Sequence, residues 1–207
     1  MRRVLPLDNE CSLRLVLMRH GKPVEQAHRR CYGSLDVGLS EAGREQIRSR
    51  VNFLRSLAPD VLYTSTSKRA VESAAEIKLE LNMQARAVPE LREIDFGAFE
   101  GLTYEEIESR YPLEYKGWME HPTKIKFPDG DSFFDMKDRV IGFRASLFRN
   151  HRSQTVLTIS HGGVNRILLA HALGLSDDKI FRIEQTYAAV NIIDYLAQSA
   201  VVRLING

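Results

Sequence analysis

The sequence has little that points to a membrane, and it has no large excess of charge of either sign. Its apolar runs are all shorter than the roughly 18 residues that mark a transmembrane helix, and the polar residues Asp8, Asn9 and Glu10 interrupt any signal peptide. Lys and Arg number 29 against 27 Asp and Glu, a net charge of +2. This balance argues against binding nucleic acid or a membrane surface through bulk charge. We expect a cytoplasmic protein.

Cysteine is scarce, and the acidic residues form no familiar metal site. Cys11 and Cys31 match neither a zinc spacing nor a disulfide framework, so we expect both to be reduced thiols. Acidic pairs in predicted turns, at residues 129–131 and 177–178, match neither a calcium loop nor a zinc motif. The sequence therefore predicts no metal and no other cofactor.

What is present is ordinary globular composition, with 43% hydrophobic and 27% charged residues. A chain of 207 residues fits one domain, so we predict a single domain over residues 1–207. Residues 1–12 precede the first predicted strand, and we expect either a flexible extension or a segment that packs against a partner.

Strands and helices alternate along the chain. Apolar and β-branched runs predict strands over residues 13–18, 60–64, 86–88, 155–159, 187–195 and 200–205, the last two forming a hairpin. Helical spacing and capping residues predict helices over residues 40–57, 67–79, 132–150 and 163–173, with a short helix that opens at Thr103 and stops before Pro112. This order predicts an α/β fold, a three-layer α/β/α sandwich around a mostly parallel sheet.

Two of the predicted strands end in a similar polar sequence. Arg19-His20-Gly21 follows the first strand, and Ser160-His161-Gly162-Gly163 follows the strand near residue 155. Ligands of such sheets bind beyond the carboxyl ends of the strands. If the two strands are neighbours, both histidines lie at one sheet edge, where the glycines let the backbone approach a ligand closely. A histidine alone at such a junction is more often structural, but the pair favours a functional site.

Four sequence blocks resemble the signatures of the histidine phosphatase superfamily, in the branch that contains phosphoglycerate mutases and small phosphatases. The blocks occur in the family's order and are residues 19–21 (RHG), 65–74 (STSKRAVESA), 91–101 (LREIDFGAFEG) and 160–163 (SHGG). The resemblance spans residues 13–205 and implies a phosphoglycerate mutase-like fold.

The resemblance also implies roles for individual residues. It makes His20 the nucleophile and Glu93 the proton donor, and it places Arg19, Arg69 and His161 in a phosphate pocket. Gln26 and Gly162 are further candidates for that pocket. The chemistry suits these residue types, because a neutral imidazole can attack phosphorus and arginine binds phosphate oxygens in pairs. Lys22 and Pro23 depart from the family pattern, since a glutamate and a hydroxyl residue are frequent there.

The substrate is harder to predict than the chemistry. Residues 31–40 (CYGSLDVGLS) and 127–133 (FPDGDSF) are similar to α-ribazole phosphatases, which implies hydrolysis of α-ribazole 5′-phosphate in cobalamin synthesis. Three alternatives stay open: a broad-specificity or sugar-phosphate phosphatase, a phosphoglycerate mutase, and an inactive phosphate-binding relative. In each case we expect a small phosphate ester as ligand, no nucleic acid and no membrane, and we leave a homodimer open.

Aromatic residues are concentrated in one part of the chain, around a segment of residues 100–134 that we interpret as a specificity insertion. This concentration fits either a wall that stacks on a flat leaving group or a small satellite core. The aromatic residues concerned are Phe96, Phe99, Tyr104, Tyr111, Tyr115, Trp118, Phe127, Phe133 and Phe134.

Overall fold

A computed structural model of the chain describes residues 11–27 and 29–207. Within them, the strands are β1 (Cys11–Arg19), β2 (Val61–Ser65), β3 (Ala85–Val88), β4 (Thr155–Ser160), β5 (Val190–Leu196) and β6 (Ala200–Leu204). The α-helices are α1 (Glu41–Ser56), α2 (Lys68–Leu81), α3 (Tyr104–Arg110), α4 (Pro112–Glu120), α5 (Phe133–Asn150) and α6 (Gly162–Leu173).

The strands form one sheet in the order β3-β2-β4-β1-β5-β6. Strands β1, β2, β3 and β4 are parallel to one another, β5 is antiparallel to β1, and β6 pairs antiparallel with β5. The prediction of a mostly parallel α/β sheet that ends in a hairpin is therefore confirmed. Only β5 runs against the others, and the short turn after it makes β6 antiparallel to β5.

Helices cover both faces of the sheet. Alternate residues of β1 point in opposite directions, so that Leu15 and Leu17 pack with α5 and α6, whereas Val16 and Met18 pack with α1 and α2. The two apolar layers contain the largest buried clusters of the described residues. This arrangement is the three-layer sandwich that the alternation of strands and helices predicts.

One predicted boundary and one helix differ between sequence and structure. Cys11 and Ser12 are not part of an extension but are the first residues of β1, and Cys11 pairs with Leu196 of β5. Residues 1–10 lie outside the described residues. The short helix predicted to open at Thr103 and to stop before Pro112 is α3. The sequence analysis does not predict α4, in which Pro112 occupies the first helical position, where the N–H that proline lacks would have no partner within the helix.

The aromatic segment forms a satellite core. Phe99, Trp118 and Phe127 are buried together, and the rings of Trp118 and Phe127 have centroids 5.3 Å apart. Tyr104 and Phe134 remain exposed. Most of the segment's aromatic surface is thus used to stabilise the segment itself. Its role as a specificity insertion remains a prediction.

No helix of the described residues combines the length and the apolar character that crossing a membrane requires. Cys11 and Cys31 are both buried and form no disulfide with each other.

Candidate active site

The two histidines lie side by side because β1 and β4 are neighbours. In this parallel pair Arg19 is in register with Ser160, and the His20 backbone N–H donates to the Ser160 carbonyl at 3.0 Å. The imidazole rings of His20 and His161 have centroids 5.2 Å apart. The sheet therefore brings both sequence blocks to one edge, as the pattern of strand endings indicates.

The His20 ring is buried and oriented by its own loop. Its Nδ1 lies 2.7 Å from the Gly21 carbonyl oxygen. Because a carbonyl only accepts hydrogen bonds, Nδ1 carries the proton and Nε2 keeps its lone pair. Burial, and then the positive charges of Arg69 and Arg19, hold the pKa of His20 well below 6.5. The imidazole is therefore neutral at neutral pH and can act as a nucleophile.

His161 is the second buried imidazole. Its Nε2 lies 2.8 Å from the Ser65 hydroxyl at the end of β2. Burial, followed by the charge of Arg69, lowers the pKa of His161 well below 6.5. Three strands thus contribute to the same site, β1 and β4 through the histidines and β2 through Ser65.

Arg69 is fully buried at the start of α2, so it is not one more solvated cation on the surface. Its guanidinium donates to the carbonyls of Tyr32, Gly33 and Leu35, at 3.1, 2.8 and 3.1 Å. Burial lowers the pKa of Arg69 from its usual value, although the charge of Glu93 opposes this effect. A cation held in this way keeps a fixed orientation, which phosphate recognition requires.

Arg19 lies at the end of β1, beside His20. Its Nη1 donates to the Gln185 carbonyl, and its guanidinium carbon stands 4.2 Å from the centre of the Tyr187 ring. The Tyr187 hydroxyl is 2.7 Å from the Tyr32 hydroxyl, which connects the loop around Arg69 with the loop that holds Arg19. The two guanidiniums are therefore fixed by joined loops.

Several buried nitrogens of this group have no hydrogen-bond partner among the described residues. They are Nε of Arg19, Nε of Arg69 and Nδ1 of His161. A buried donor without an acceptor costs free energy, so such groups are retained where a ligand supplies the acceptor. Two guanidinium N–H groups beside two imidazoles fit the oxygens of a phosphoryl group.

Glu93 lies next to the start of α6. One carboxylate oxygen accepts the Gly163 N–H at 3.0 Å, and the other accepts the Ile94 N–H at 3.1 Å. A side chain at residue 163 would place its Cβ 2.4 Å from the Glu93 carboxylate, so only glycine allows this approach. The charge of Glu93 acts on Arg69 and Arg166, which puts the carboxylate among the site's cations rather than in a surface ion pair.

The other candidates are placed differently. Gly162 lies beside the cations, since a Cβ there would be 3.0 Å from Nη1 of Arg166 and 3.7 Å from Arg19. Gln26 is exposed in the short 3-10 helix Glu25–Ala27, and within the described residues it makes no hydrogen bond to the site. Gly21 does not face a ligand, because its missing side chain makes room for the Gly43 carbonyl of α1.

Two arginines belong to this region although the sequence analysis did not single them out. Arg166 donates to the Ile183 carbonyl at 2.8 Å, and it follows Gly162 by one helical turn, a spacing that could have indicated it. Arg139 of α5 donates to the carbonyls of Glu90 and Arg92, at 3.0 and 2.8 Å, and so holds the segment that carries Glu93. No sequence signal marks Arg139.

A buried network of side-chain amides holds the loop that positions Arg19. The Asn165 amide donates to the Gln185 side chain at 3.0 Å, and Asn191 donates to the same oxygen at 2.9 Å. Ser160 donates to Asn165 at 2.8 Å. The network fixes the loop whose Gln185 carbonyl holds Arg19. Its members come from distant parts of the chain, so spacing could not reveal it.

A polar cleft of about 250 Å³ opens beside Glu93. It has hydroxyl, carboxylate and guanidinium groups on its walls and no aromatic ring. The lining residues are Gly33, Ser34, Asp36, Thr66, Ser67, Arg92, Glu93, Asp95 and Asp131. Another cavity, of about 270 Å³, lies between α5 and α6 and is lined by none of the predicted site residues. Of the predicted site residues, Glu93 alone lines the polar cleft.

The other histidines that the structure describes are not part of the site. His151 is buried, and its ring bonds to the Tyr63 hydroxyl and the Gln154 side chain, each at 2.9 Å. His121 and His171 lie on helix ends away from His20. His28 lies outside the described residues. Within those residues no group of His, Cys, Asp and Glu side chains could hold a metal ion.

The buried neutral histidines make stability depend on pH in a defined direction. Above pH 6.5 these rings are neutral in both the folded and the unfolded chain, so they contribute nothing. As the pH falls below 6.5, the unfolded chain binds protons that folded His20 and His161 reject, and the folded state loses stability. The expected loss is up to about 1.4 kcal/mol per pH unit for each ring.

Urea unfolding between about pH 7.5 and about pH 5.5 measures this loss. His161→Gln is expected to lose less unfolding free energy over this pH range than the unaltered chain, because one of the two buried rings is gone. His121→Gln, at an exposed position, is expected to lose as much as the unaltered chain. An equal slope in His161→Gln and the unaltered chain would contradict a neutral buried His161.

Comparison with known proteins agrees with this geometry. A family model described as "Histidine phosphatase superfamily (branch 1)" matches residues 15–207. Phosphoserine phosphatase 1 of Hydrogenobacter thermophilus is 30% identical over 194 residues, which cover 94% of this chain and 92% of that protein.

Solved structures share the fold. The α-ribazole phosphatase from Shigella flexneri superposes with a TM-score of 0.86 at 25% identity, over 94% of this chain and 96% of that one. Mycobacterial glucosyl-3-phosphoglycerate phosphatase Rv2419c, solved with VO3, gives a TM-score of 0.84 at 25% identity, over 94% and 98%. The predictions of the family, the phosphoglycerate mutase-like fold and a phosphoric monoester hydrolase are confirmed. The chain belongs to branch 1 of the histidine phosphatase superfamily.

Proposed function

We propose that this chain hydrolyses a small phosphomonoester through a phosphohistidine formed at His20. The observation that carries the proposal is a group of buried nitrogens around a neutral His20, Nε of Arg19, Nε of Arg69 and Nδ1 of His161, that lack a hydrogen-bond partner among the described residues. Donors fixed before the reaction stabilise the charge on the transferring phosphoryl oxygens without further reorganisation.

In the first step, Nε2 of His20 attacks phosphorus while the bond from phosphorus to the ester oxygen breaks. Glu93 gives its proton to the departing oxygen, and a bound phosphate dianion favours the protonated carboxyl that supplies it. The imidazole becomes positively charged on phosphorylation, and the hydrogen bond from Nδ1 to the Gly21 carbonyl stabilises that charge.

In the second step, water replaces histidine on phosphorus. The Glu93 carboxylate takes a proton from the water as its oxygen attacks, and the bond from phosphorus to Nε2 breaks. Inorganic phosphate and neutral His20 are released, and Glu93 is protonated again. Splitting the displacement into these two steps lets one nucleophile and one carboxyl complete the reaction.

For the substrate, we propose α-ribazole 5′-phosphate in cobalamin synthesis. The similarity of residues 31–40 and 127–133 to α-ribazole phosphatases supports it, as does the likeness to the Shigella flexneri enzyme. The polar cleft beside Glu93 suits the ribose hydroxyls of such an ester. The cleft lacks an aromatic wall, so stacking on the heteroaromatic base adds no support.

Phosphoserine is a second candidate, because the relative from Hydrogenobacter thermophilus is named for it and the cleft offers matching charges. Asp36, Asp95 and Asp131 could face an ammonium group, and Arg92 could face a carboxylate. Sugar phosphates, phosphoglycerate mutase activity and phosphate binding without catalysis are the remaining alternatives. A cytoplasmic location stays a prediction, and a homodimer stays open.

Phosphate release from a substrate panel tests the proposal. The panel holds α-ribazole 5′-phosphate, phosphoserine, 3-phosphoglycerate, sugar phosphates and p-nitrophenyl phosphate. We expect the highest kcat/KM for the ribazole ester. A higher kcat/KM for phosphoserine would make phosphoserine the substrate instead. Isomerisation of 3-phosphoglycerate without phosphate release would contradict phosphatase activity.

The reaction is expected to proceed in EDTA at an unchanged rate, because arginines supply the positive charge that a metal ion would otherwise provide. The measurement is phosphate release before and after chelation. Loss of turnover that a divalent cation restores would contradict this prediction.

A further inference from the structure

Glu100 stands outside the predicted catalytic set, yet its carboxylate holds a loop of that site. It accepts the backbone N–H groups of Gly33, Ser34 and Leu35, at 3.0, 2.8 and 3.1 Å. It also accepts the Phe96 N–H at 3.0 Å. A carboxylate has enough lone pairs to accept from all four donors at once, and few other side chains could do so.

The loop that Glu100 holds is the one that holds Arg69. The N–H groups of residues 33–35 point to Glu100, while the carbonyls of Tyr32, Gly33 and Leu35 accept from the Arg69 guanidinium. The same short stretch of backbone is therefore bonded to a carboxylate through its donors and to a guanidinium through its acceptors. Moving one set of bonds must move the other.

Apart from Glu100 and Arg69, one side-chain bond among the described residues holds the centre of this loop, from the Ser34 hydroxyl to the Asp95 carboxylate at 3.0 Å. Residues 33–35 belong to no helix or strand, so side-chain bonds and packing determine their path. Gly33 packs directly on the segment before Glu100, since a Cβ there would lie 1.7 Å from the Ile94 carbonyl oxygen. The Gly101 N–H donates to the Cys31 carbonyl at 2.8 Å, which fixes the start of the loop but not its centre.

We propose that Glu100 is a positioning residue for phosphate binding, which fixes loop 33–35 so that its carbonyls hold the Arg69 guanidinium in the phosphate pocket. The proposal rests on the proposed function, because it takes Arg69 as a phosphate-binding group. Glu100 itself does not touch the substrate in this account. It acts through the loop and through Arg69.

The sign of its effect on anion binding distinguishes this role from simple electrostatics. Removing a negative charge near an anion site strengthens anion binding when nothing moves. Glu100→Gln removes the charge, but its amide group presents N–H donors to backbone N–H donors, so the loop shifts. We therefore expect weaker binding of inorganic phosphate, with a Kd raised about tenfold, since a small misplacement of a binding group has effects up to about a hundredfold.

Titration calorimetry of the full chain with inorganic phosphate measures this Kd, and kinetics with p-nitrophenyl phosphate measure kcat/KM. Glu106→Gln is the matched control. Glu106 also accepts a backbone N–H, that of Thr103, and bonds to Arg30, but it has no contact with the loop around Arg69. This control is expected to lose capping of α3 and to keep phosphate binding.

The double variant with Arg69→Gln separates positioning from general loss of structure. If Glu100 acts through Arg69, adding Glu100→Gln to Arg69→Gln costs less than about threefold in kcat/KM, because the guanidinium is already gone. If the role of Glu100 is purely structural, Glu100→Gln lowers kcat/KM by the same factor whether residue 69 is arginine or glutamine. Thermal unfolding of each variant reports the folded fraction independently.

Unchanged or tighter phosphate binding in Glu100→Gln would overturn the role of Glu100, and so would an equal loss in both backgrounds. If Arg69→Gln alone left phosphate binding unchanged, the phosphate pocket itself would be wrong, and that failure is visible without any Glu100 variant.

Discussion

His20→Ala is expected to lower kcat for every phosphomonoester by at least about ten-thousandfold, since removing a nucleophile that forms a covalent intermediate abolishes both steps of the reaction. The reason lies in the geometry of the ring. Its Nδ1 is committed to the Gly21 carbonyl, so Nε2 is the nitrogen with a free lone pair. The family resemblance places His161 in the phosphate pocket rather than in the role of nucleophile, and Nε2 of that ring is bonded to Ser65.

The measurement is steady-state phosphate release, with His121→Ala as the control for loss of an imidazole at an exposed position. The control is expected to keep the full rate. Unfolding curves must show that His20→Ala remains folded. We expect it to fold at neutral pH, because the substitution replaces a buried neutral ring with a smaller apolar side chain. Residual turnover above about one per cent would contradict nucleophilic catalysis by His20.

Glu93→Gln is expected to have an effect that depends on the leaving group. For an alkyl phosphate, the loss of proton donation lowers kcat about a hundredfold to ten-thousandfold, the range typical of general acid catalysis. For p-nitrophenyl phosphate the departing phenolate needs no proton, so phosphorylation of His20 stays fast. Attack of water on the phosphohistidine is slow in both cases, because the carboxylate that activates it is absent.

Rapid mixing of Glu93→Gln with p-nitrophenyl phosphate is therefore expected to give a burst of p-nitrophenol, about one per active site, followed by slow turnover. Glu90→Gln serves as the control on the same segment, because its backbone carbonyl, and not its side chain, bonds to Arg139. Equal losses for both kinds of ester without a burst would show that Glu93 is not the shared acid and base.

The sequence was most informative where chemistry lies at strand ends. His20 and His161 follow strongly apolar runs, so the rules of parallel sheets place both at one sheet edge once β1 and β4 are known to be neighbours, which the structure shows. The family resemblance was needed for Arg69 and Glu93, since neither has a local pattern that separates a buried group from a surface ion pair. Glu93 also depends on Gly163, which is distant in sequence and becomes a donor to it only when α6 packs.

Other features depend on tertiary contacts that no local pattern carries. The amide network of Asn165, Gln185 and Asn191 joins separate elements, so it could not be predicted. The stop signal at Pro112 correctly predicts the end of α3, but it does not reveal that the same proline opens α4. The clustering of aromatic residues near Trp118 is visible in the sequence. Composition alone does not distinguish a wall that binds the substrate from the satellite core that the structure shows.

The most direct test of the account is to isolate the phosphorylated enzyme. Glu93→Gln, mixed with p-nitrophenyl phosphate and quenched in alkali, is digested, and the phosphorylated peptide is identified by mass spectrometry. The account predicts phosphate on His20, stable in alkali and lost in acid, and no labelled peptide from the His20→Ala, Glu93→Gln double variant. Phosphate on another residue, or turnover with no phosphorylated enzyme, would contradict the phosphohistidine mechanism.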